Sequence, residues 1–193
     1  MQSFFDRAAI VAVSATISII ISVLVLDLRY KSLLQSGAKL PNASAAELEK
    51  SFSKLKLIVY FDVSQNKYKT AESVNDFTNK LIVFSDFNCP YCATAQGLYE
   101  DYARSNNIEY IYYVETPILG PKSEATSLES VNDYIFDLGN YDRTKYFISN
   151  REPDIEDTDE AIEILSRHKA LIRELGVNAT PTYIIKGKFS ANL

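Results

Sequence analysis

Cys89 and Cys92 are the only cysteines among 193 residues, and two residues, Pro90 and Tyr91, separate them. A C-x-x-C pair supports three chemistries: half of a zinc site, a local disulfide staple, or a redox-active dithiol. Structural zinc takes four Cys or His ligands. The chain offers these two thiols and one histidine, His168, far along the sequence, so no metal site is expected. Two cysteines are also too few for a disulfide-stapled scaffold.

A redox dithiol makes three demands. Two intervening residues let the second sulfur reach the first and close a small ring. The nucleophile must ionise below the ordinary thiol value of about 8.5. Cys89 meets this if a helix begins at Pro90, because free backbone N–H groups and the helix dipole stabilise a thiolate there. Pro90 suits the first helical position, since it has no N–H to leave unpaired and its φ is already helical. The third demand is a protected resolving thiol one turn in, and Cys92 fits. A Cys89 thiolate would then form a mixed disulfide that Cys92 resolves, with Pro90 and Tyr91 tuning the pair. The cofactor expected is the Cys89–Cys92 disulfide itself and nothing else.

The elements that must position this pair read as follows. Leu81 to Ser85 is a strand apolar on both faces. A helix over 90–104 follows, then a strand from Ile108 to Val114. This is a βαβ unit, with a right-handed connection and parallel strands. Upstream, Lys56 to Val63 reads as a strand, Ser64-Gln65-Asn66 as a turn and Ala71 to Phe77 as a short helix. Downstream, Ser123 to Leu138 reads as a helix and Tyr141 to Ile148 as a shorter one. Asp157 and Glu160 fit a capping box for a helix ending at Leu175, with His168 on its buried stripe in a structural role. Tyr183 to Lys186 and Phe189 to Leu193 read as an antiparallel pair turning at Gly187. Read alone, Pro181 is an ordinary trans proline at a strand start.

Residues Ala8 to Leu26 form a run of 19 residues without charge, about the length that crosses a bilayer as a helix. The run is longer than a usual signal core, and no A-x-A-like cleavage site follows, so an uncleaved anchor is favoured over a cleaved signal. Residues 1–31 are accordingly a membrane anchor or signal segment, 32–55 a linker or stalk, and 56–193 the main domain. Ala45 to Leu55 carries Leu48, Phe52 and Leu55 at helical spacing. It reads either as a stalk or self-association helix, which would make a homo-oligomer, or as a helix packed on its own domain. A net charge of −5 argues against non-specific nucleic-acid binding.

Three stretches carry a family resemblance. Phe84-Ser85-Asp86-Phe87-Asn88-Cys89-Pro90-Tyr91-Cys92 resembles the thiol signature of DsbA-like thiol–disulfide oxidoreductases of bacterial envelopes. Pro117-Ile118-Leu119-Gly120-Pro121-Lys122-Ser123 and Gly176-Val177-Asn178-Ala179-Thr180-Pro181-Thr182 resemble two further segments of that family, in order. The resemblance implies an α/β thioredoxin fold with a helical insertion at about 121–153. It implies a cis Thr180–Pro181 bond whose backbone pairs with substrate, and an exported catalytic domain, periplasmic and tethered to the bacterial inner membrane. That overrides the flanking charges, Arg7 before the run and Arg29 and Lys31 after it, which taken alone place the domain in the cytoplasm. Expected partners are cysteine-containing exported proteins and a membrane redox partner. Ala179 and Val83 depart from the pattern: Val83 stands where some members carry a buried acid. No helix is expected after the last hairpin, where the family usually has one: either this is a reduced variant, or Tyr30 to Phe77 covers that face, or the chain is incomplete. C-P-Y-C also occurs in glutaredoxins, which would make this a cytosolic glutathione-linked reductase. A third reading is a non-catalytic, membrane-tethered binding or assembly protein with the same fold.

Overall fold

The computed structural model describes residues 42–147 and 158–193. The expected membrane segment at 8–26, the linker up to residue 41 and residues 148–157 lie outside the described residues. Among those described, no helix is long and apolar enough to cross a membrane.

The chain builds a six-stranded mixed sheet from β1 (Ile58–Asp62), β2 (Lys67–Ala71), β3 (Lys80–Ser85), β4 (Tyr110–Glu115), β5 (Thr182–Ile185) and β6 (Lys188–Ser190). The strand order is β2-β1-β4-β3-β5-β6. β3 and β4 are parallel, with Ser85 opposite Glu115, as the βαβ reading requires. Every other pairing is antiparallel. The central strands are apolar on both faces because both faces are covered. Leu81 and Val83 point into one core with Tyr99, Tyr113, Val131 and Ile164. Ile82 and Phe84 point into the other with Leu48, Phe52, Leu171 and Leu175.

The helices are α1 (Ala45–Phe52), α2 (Pro90–Gln96), α3 (Tyr99–Ser105), α4 (Pro121–Phe136) and α5 (Asp159–Leu175). α1 opens on a capping box, in which Ser44 accepts from the Glu47 N–H and Glu47 reaches back to the Ser44 N–H. Its stripe decides between the two readings of residues 45–55. Leu48, Phe52 and Leu55 are buried against this domain's own sheet, and Phe52 meets Phe77 edge-on at 5.5 Å. α1 and Phe77 thus help to cover that sheet face.

Four local expectations are corrected. The helix expected over 71–77 is absent: Lys67–Ala71 is the edge strand β2, and the chain then loops to β3. Val74 and Phe77 are buried three residues apart, which imitates helical spacing, while Asp76 has φ 49°, which no α-helix accommodates. The helix expected over 90–104 is two helices, broken at Gly97-Leu98. Where a short helix is expected over 141–148, the described residues 141–147 give one 3-10 turn, Arg143–Tyr146. α5 is capped by Thr158, whose hydroxyl accepts from the Ala161 N–H at 3.2 Å; Asp157 lies outside the described residues. His168 is fully buried, as its place on the α5 stripe suggested.

Candidate active site

Strand β3 ends at Ser85, and the next four residues carry the chain into α2. Asp86 governs that turn. Its carbonyl accepts from the Cys89 N–H at 3.1 Å, and its side chain accepts from the Asn88 N–H at 2.8 Å. This sets Cys89 as the N-cap of α2 in extended conformation, with Pro90 at the first helical position. Cys92 falls one turn in and is fully buried, whereas Tyr91 is half exposed.

Both thiols are free. The hydrogen bond from Cys92 is the largest influence on Cys89. With the backbone N–H groups of Cys92 and Tyr91 it outweighs burial and lowers the Cys89 thiol to about 6. The same bond acts on Cys92 in reverse: donating to the Cys89 thiolate holds its proton on, and burial pushes it up further. Two thiols three residues apart therefore differ in kind. Cys89 is a thiolate at neutral pH and Cys92 a protonated reserve.

The Thr180–Pro181 bond is cis, as the resemblance implied, and the Thr180 carbonyl lies 3.4 Å from the Cys89 sulfur. The site residues named from the sequence thus converge: Cys89, Pro90, Tyr91 and Cys92 on one turn, with Thr180 and Pro181 facing them across 91 positions of chain.

The buried polar groups beneath this turn were missed. Asp86 is fully buried, and its second carboxyl oxygen accepts from the N–H groups of Ile118 and Leu119 at 2.9 and 3.0 Å. Ser123, in the first turn of α4, donates to the first oxygen at 2.8 Å. Gly120 enters α4 with φ 103°, a conformation glycine reaches without strain. Glu115, at the end of β4, forms a fully buried two-pronged pair with Arg143. The Arg143 guanidinium is packed over Phe87 at 4.4 Å and Tyr113 at 4.5 Å. Burial raises the Glu115 carboxyl, and Arg143 pulls it back down. Asp86 stands inside the thiol signature, and its place there was the one available signal. Nothing in the spacing of Glu115 and Arg143 links them.

Residues 64–191 match the model of the thioredoxin-like domain. A comparison with curated proteins finds no match. Among solved structures, ScsC of Proteus mirabilis in a compact conformation is 17% identical, with a TM-score of 0.60 over 95% of this chain and 88% of its own. The thiol–disulfide exchange protein α-DsbA2 of Wolbachia pipientis is 15% identical, with a TM-score of 0.55 over 75% of this chain and 83% of its own. BdbD of Bacillus subtilis is 13% identical, with a TM-score of 0.53 over 81% and 91%. The C-x-x-C turn on β3, the cis-proline strand facing it and the match over residues 64–191 together place the chain in the thioredoxin-like domain family, with the fold of its DsbA-like members.

Proposed function

We propose that this protein is a thiol–disulfide oxidoreductase acting on cysteines of exported proteins. The observation that carries the reading is the asymmetry of the dithiol. Cys89 is lowered to about 6 by its hydrogen bonds, while its partner Cys92 is raised and buried. A purely structural disulfide has no use for a stabilised thiolate.

The Cys89 thiolate attacks one sulfur of a substrate disulfide. The substrate S–S bond breaks, a Cys89–substrate bond forms, and the released substrate thiolate takes a proton from water. Cys89 then carries no charge, so the largest influence holding the Cys92 proton in place is gone. Cys92 loses that proton and attacks the Cys89 sulfur. The Cys89–Cys92 disulfide forms and the second substrate thiol leaves. Two electrons have passed to the substrate. The reverse sequence oxidises a substrate dithiol. A membrane redox partner returns the pair to its starting state, and residues 8–26 hold the domain at the envelope membrane.

The test combines cysteine variants with a titration of Cys89. The rate of iodoacetamide alkylation at Cys89 should rise with pH through a midpoint near 6. Cys89→Ser should abolish insulin reduction and thiol oxidation in a protein that still unfolds cooperatively. Cys92→Ser should accumulate the mixed disulfide. A midpoint near the ordinary thiol value of about 8.5, with activity intact in Cys89→Ser, would sink the reading. The redox potential of the pair fixes direction: near about −270 mV it is a reductase, and near about −120 mV an oxidase.

A further inference from the structure

Resolving the mixed disulfide asks a fully buried thiol to become a thiolate. Once Cys89 is bonded to substrate, burial still opposes the Cys92 charge, while the Asp86 N–H and Thr180 favour it. What else that charge meets depends on the face Cys92 occupies. Cys92, Gln96, Tyr99 and Ala103 are buried at spacings of four, three and four. That is one helical stripe, and it continues across the break at Gly97-Leu98 from α2 into α3. The thiol and the Tyr99 side chain therefore lie on the same side of this helix pair, the side that meets the sheet. There the Tyr99 ring packs against Tyr113 of β4 at 6.2 Å and Tyr183 of β5 at 6.0 Å. These are the two residues paired with Val83 on either side of β3.

The Tyr99 hydroxyl is out of water and makes no hydrogen bond of ordinary length within the described residues; the nearby Tyr183 side chain adds only a weak one. Burying a hydroxyl so poorly paired is costly, and phenylalanine would fill the same space without that cost. Burial pushes this phenol far above its ordinary range, and negative charge on Tyr183 or Cys92 pushes it further. Tyr99 thus keeps its proton throughout the exchange. What it offers is a fixed O–H dipole on which the Cys92 charge acts.

We infer that the Tyr99 hydroxyl is the donor that the buried Cys92 thiolate acquires as it forms, so that Tyr99 promotes the step that resolves the mixed disulfide. This deepens the oxidoreductase reading and rests on it. Acting through another side chain, Tyr99 is a positioning residue, and no atom of it is transferred. The Cys92 proton passes to water, and the S–S bond between Cys92 and Cys89 forms. The bond from Cys89 to substrate breaks, and the departing sulfur carries away its electron pair.

The experiment uses the reduced full chain in excess over dithiobis(nitrobenzoate), a disulfide whose released thiolate is coloured. Attack by Cys89 releases the first thiolate and resolution by Cys92 the second. Stopped-flow absorbance reads the two phases separately, and the second does not depend on protein concentration. In Tyr99→Phe the first phase should stay within about twofold of wild type. The second should rise with pH through a midpoint about one unit higher, the size of one donor to a charged group. At pH 7 it should run about threefold slower, because about tenfold less thiolate is partly offset by the greater nucleophilicity of a more basic sulfur. Tyr134→Phe is the control. It removes another buried, unpartnered hydroxyl from the same core, and both phases should keep their wild-type rates. Neither variant should unfold at lower urea than wild type, since each loses a poorly paired buried group. An unchanged second phase in Tyr99→Phe overturns the inference, as does equal slowing in Tyr134→Phe. A lower urea midpoint or loss of cooperative unfolding in Tyr99→Phe assigns the hydroxyl to packing and overturns it too. If wild type releases the first thiolate and never the second, Cys92 does not resolve, and the oxidoreductase reading fails together with the inference. A normal second phase that ignores the variant sinks the inference alone.

Discussion

His168 has no ring nitrogen left for chemistry. Nδ1 accepts from the Glu115 N–H at 3.1 Å, so Nε2 carries the proton and donates to the Leu57 carbonyl at 3.0 Å. The neutral ring ties α5 to β4 and to the residue before β1. Complete burial lowers the imidazole from 6.5 to about 4. The unfolded chain therefore binds a proton below about pH 6.5 that the folded chain refuses until about pH 4. Stability is full above that window and falls as pH drops through it, by about 3 kcal/mol for this group. Urea unfolding at pH 7 and pH 4 should show that loss in wild type and a flatter dependence in His168→Gln. Parallel pH dependences in the two proteins would rule the assignment out. The same rule of environment separates the cysteines, where one hydrogen bond lowers Cys89 and raises Cys92.

At the scale of elements, α1 carries more weight than its eight residues suggest. Helices this short are marginal alone, and their stability comes from packing. Phe52 is fully buried, edge-on to Phe77 at 5.5 Å and to Phe84 on β3 at 6.5 Å. Phe84 in turn stacks on Phe189 of β6 at 6.3 Å. Removing the Phe52 ring opens a cavity under the central strand. Phe52→Ala should cost about 3–5 kcal/mol by denaturant midpoint. A cost under about 1 kcal/mol would mean that α1 is dispensable to the domain. Periodicity revealed this stripe but not its partner, because an apolar stripe reads the same whether it meets its own sheet or another chain. Strand β2 shows the opposite case, an element with no stripe to reveal it. β2 is an edge strand with polar residues, Lys67-Tyr68-Lys69-Thr70-Ala71, and it lacks the apolar alternation that marks a strand. What holds it is pairing with β1 and the contact of Tyr68 with Phe61 and Tyr141, at 5.2 and 5.0 Å.

Across the whole molecule, the insertion is bound to the thiol site through Arg143. Its guanidinium pairs with Glu115 and packs over Phe87, two residues before Cys89, and all of this is out of water. Breaking a buried pair leaves one charge uncompensated, so Arg143→Met should cost about 3–5 kcal/mol. Adding Glu115→Gln should recover part of that loss, because the two groups act as a unit. The check is a double-mutant cycle by urea unfolding, and additive costs would contradict a shared role. Local pattern in the sequence determined the C-x-x-C turn, Pro90 at the helix start, the βαβ unit and the closing hairpin, because residues within a few positions of one another specify each of them. The cis Thr180–Pro181 bond came from likeness to a family rather than from the residues themselves. Only the tertiary structure decided how the buried polar groups pair: Asp86 with Ile118, Leu119 and Ser123, Glu115 with Arg143, and His168 with Leu57. These partners lie about thirty to more than a hundred positions apart. Their pairing is set by which strand ends and loops the sheet order brings together, and no spacing along the chain encodes that.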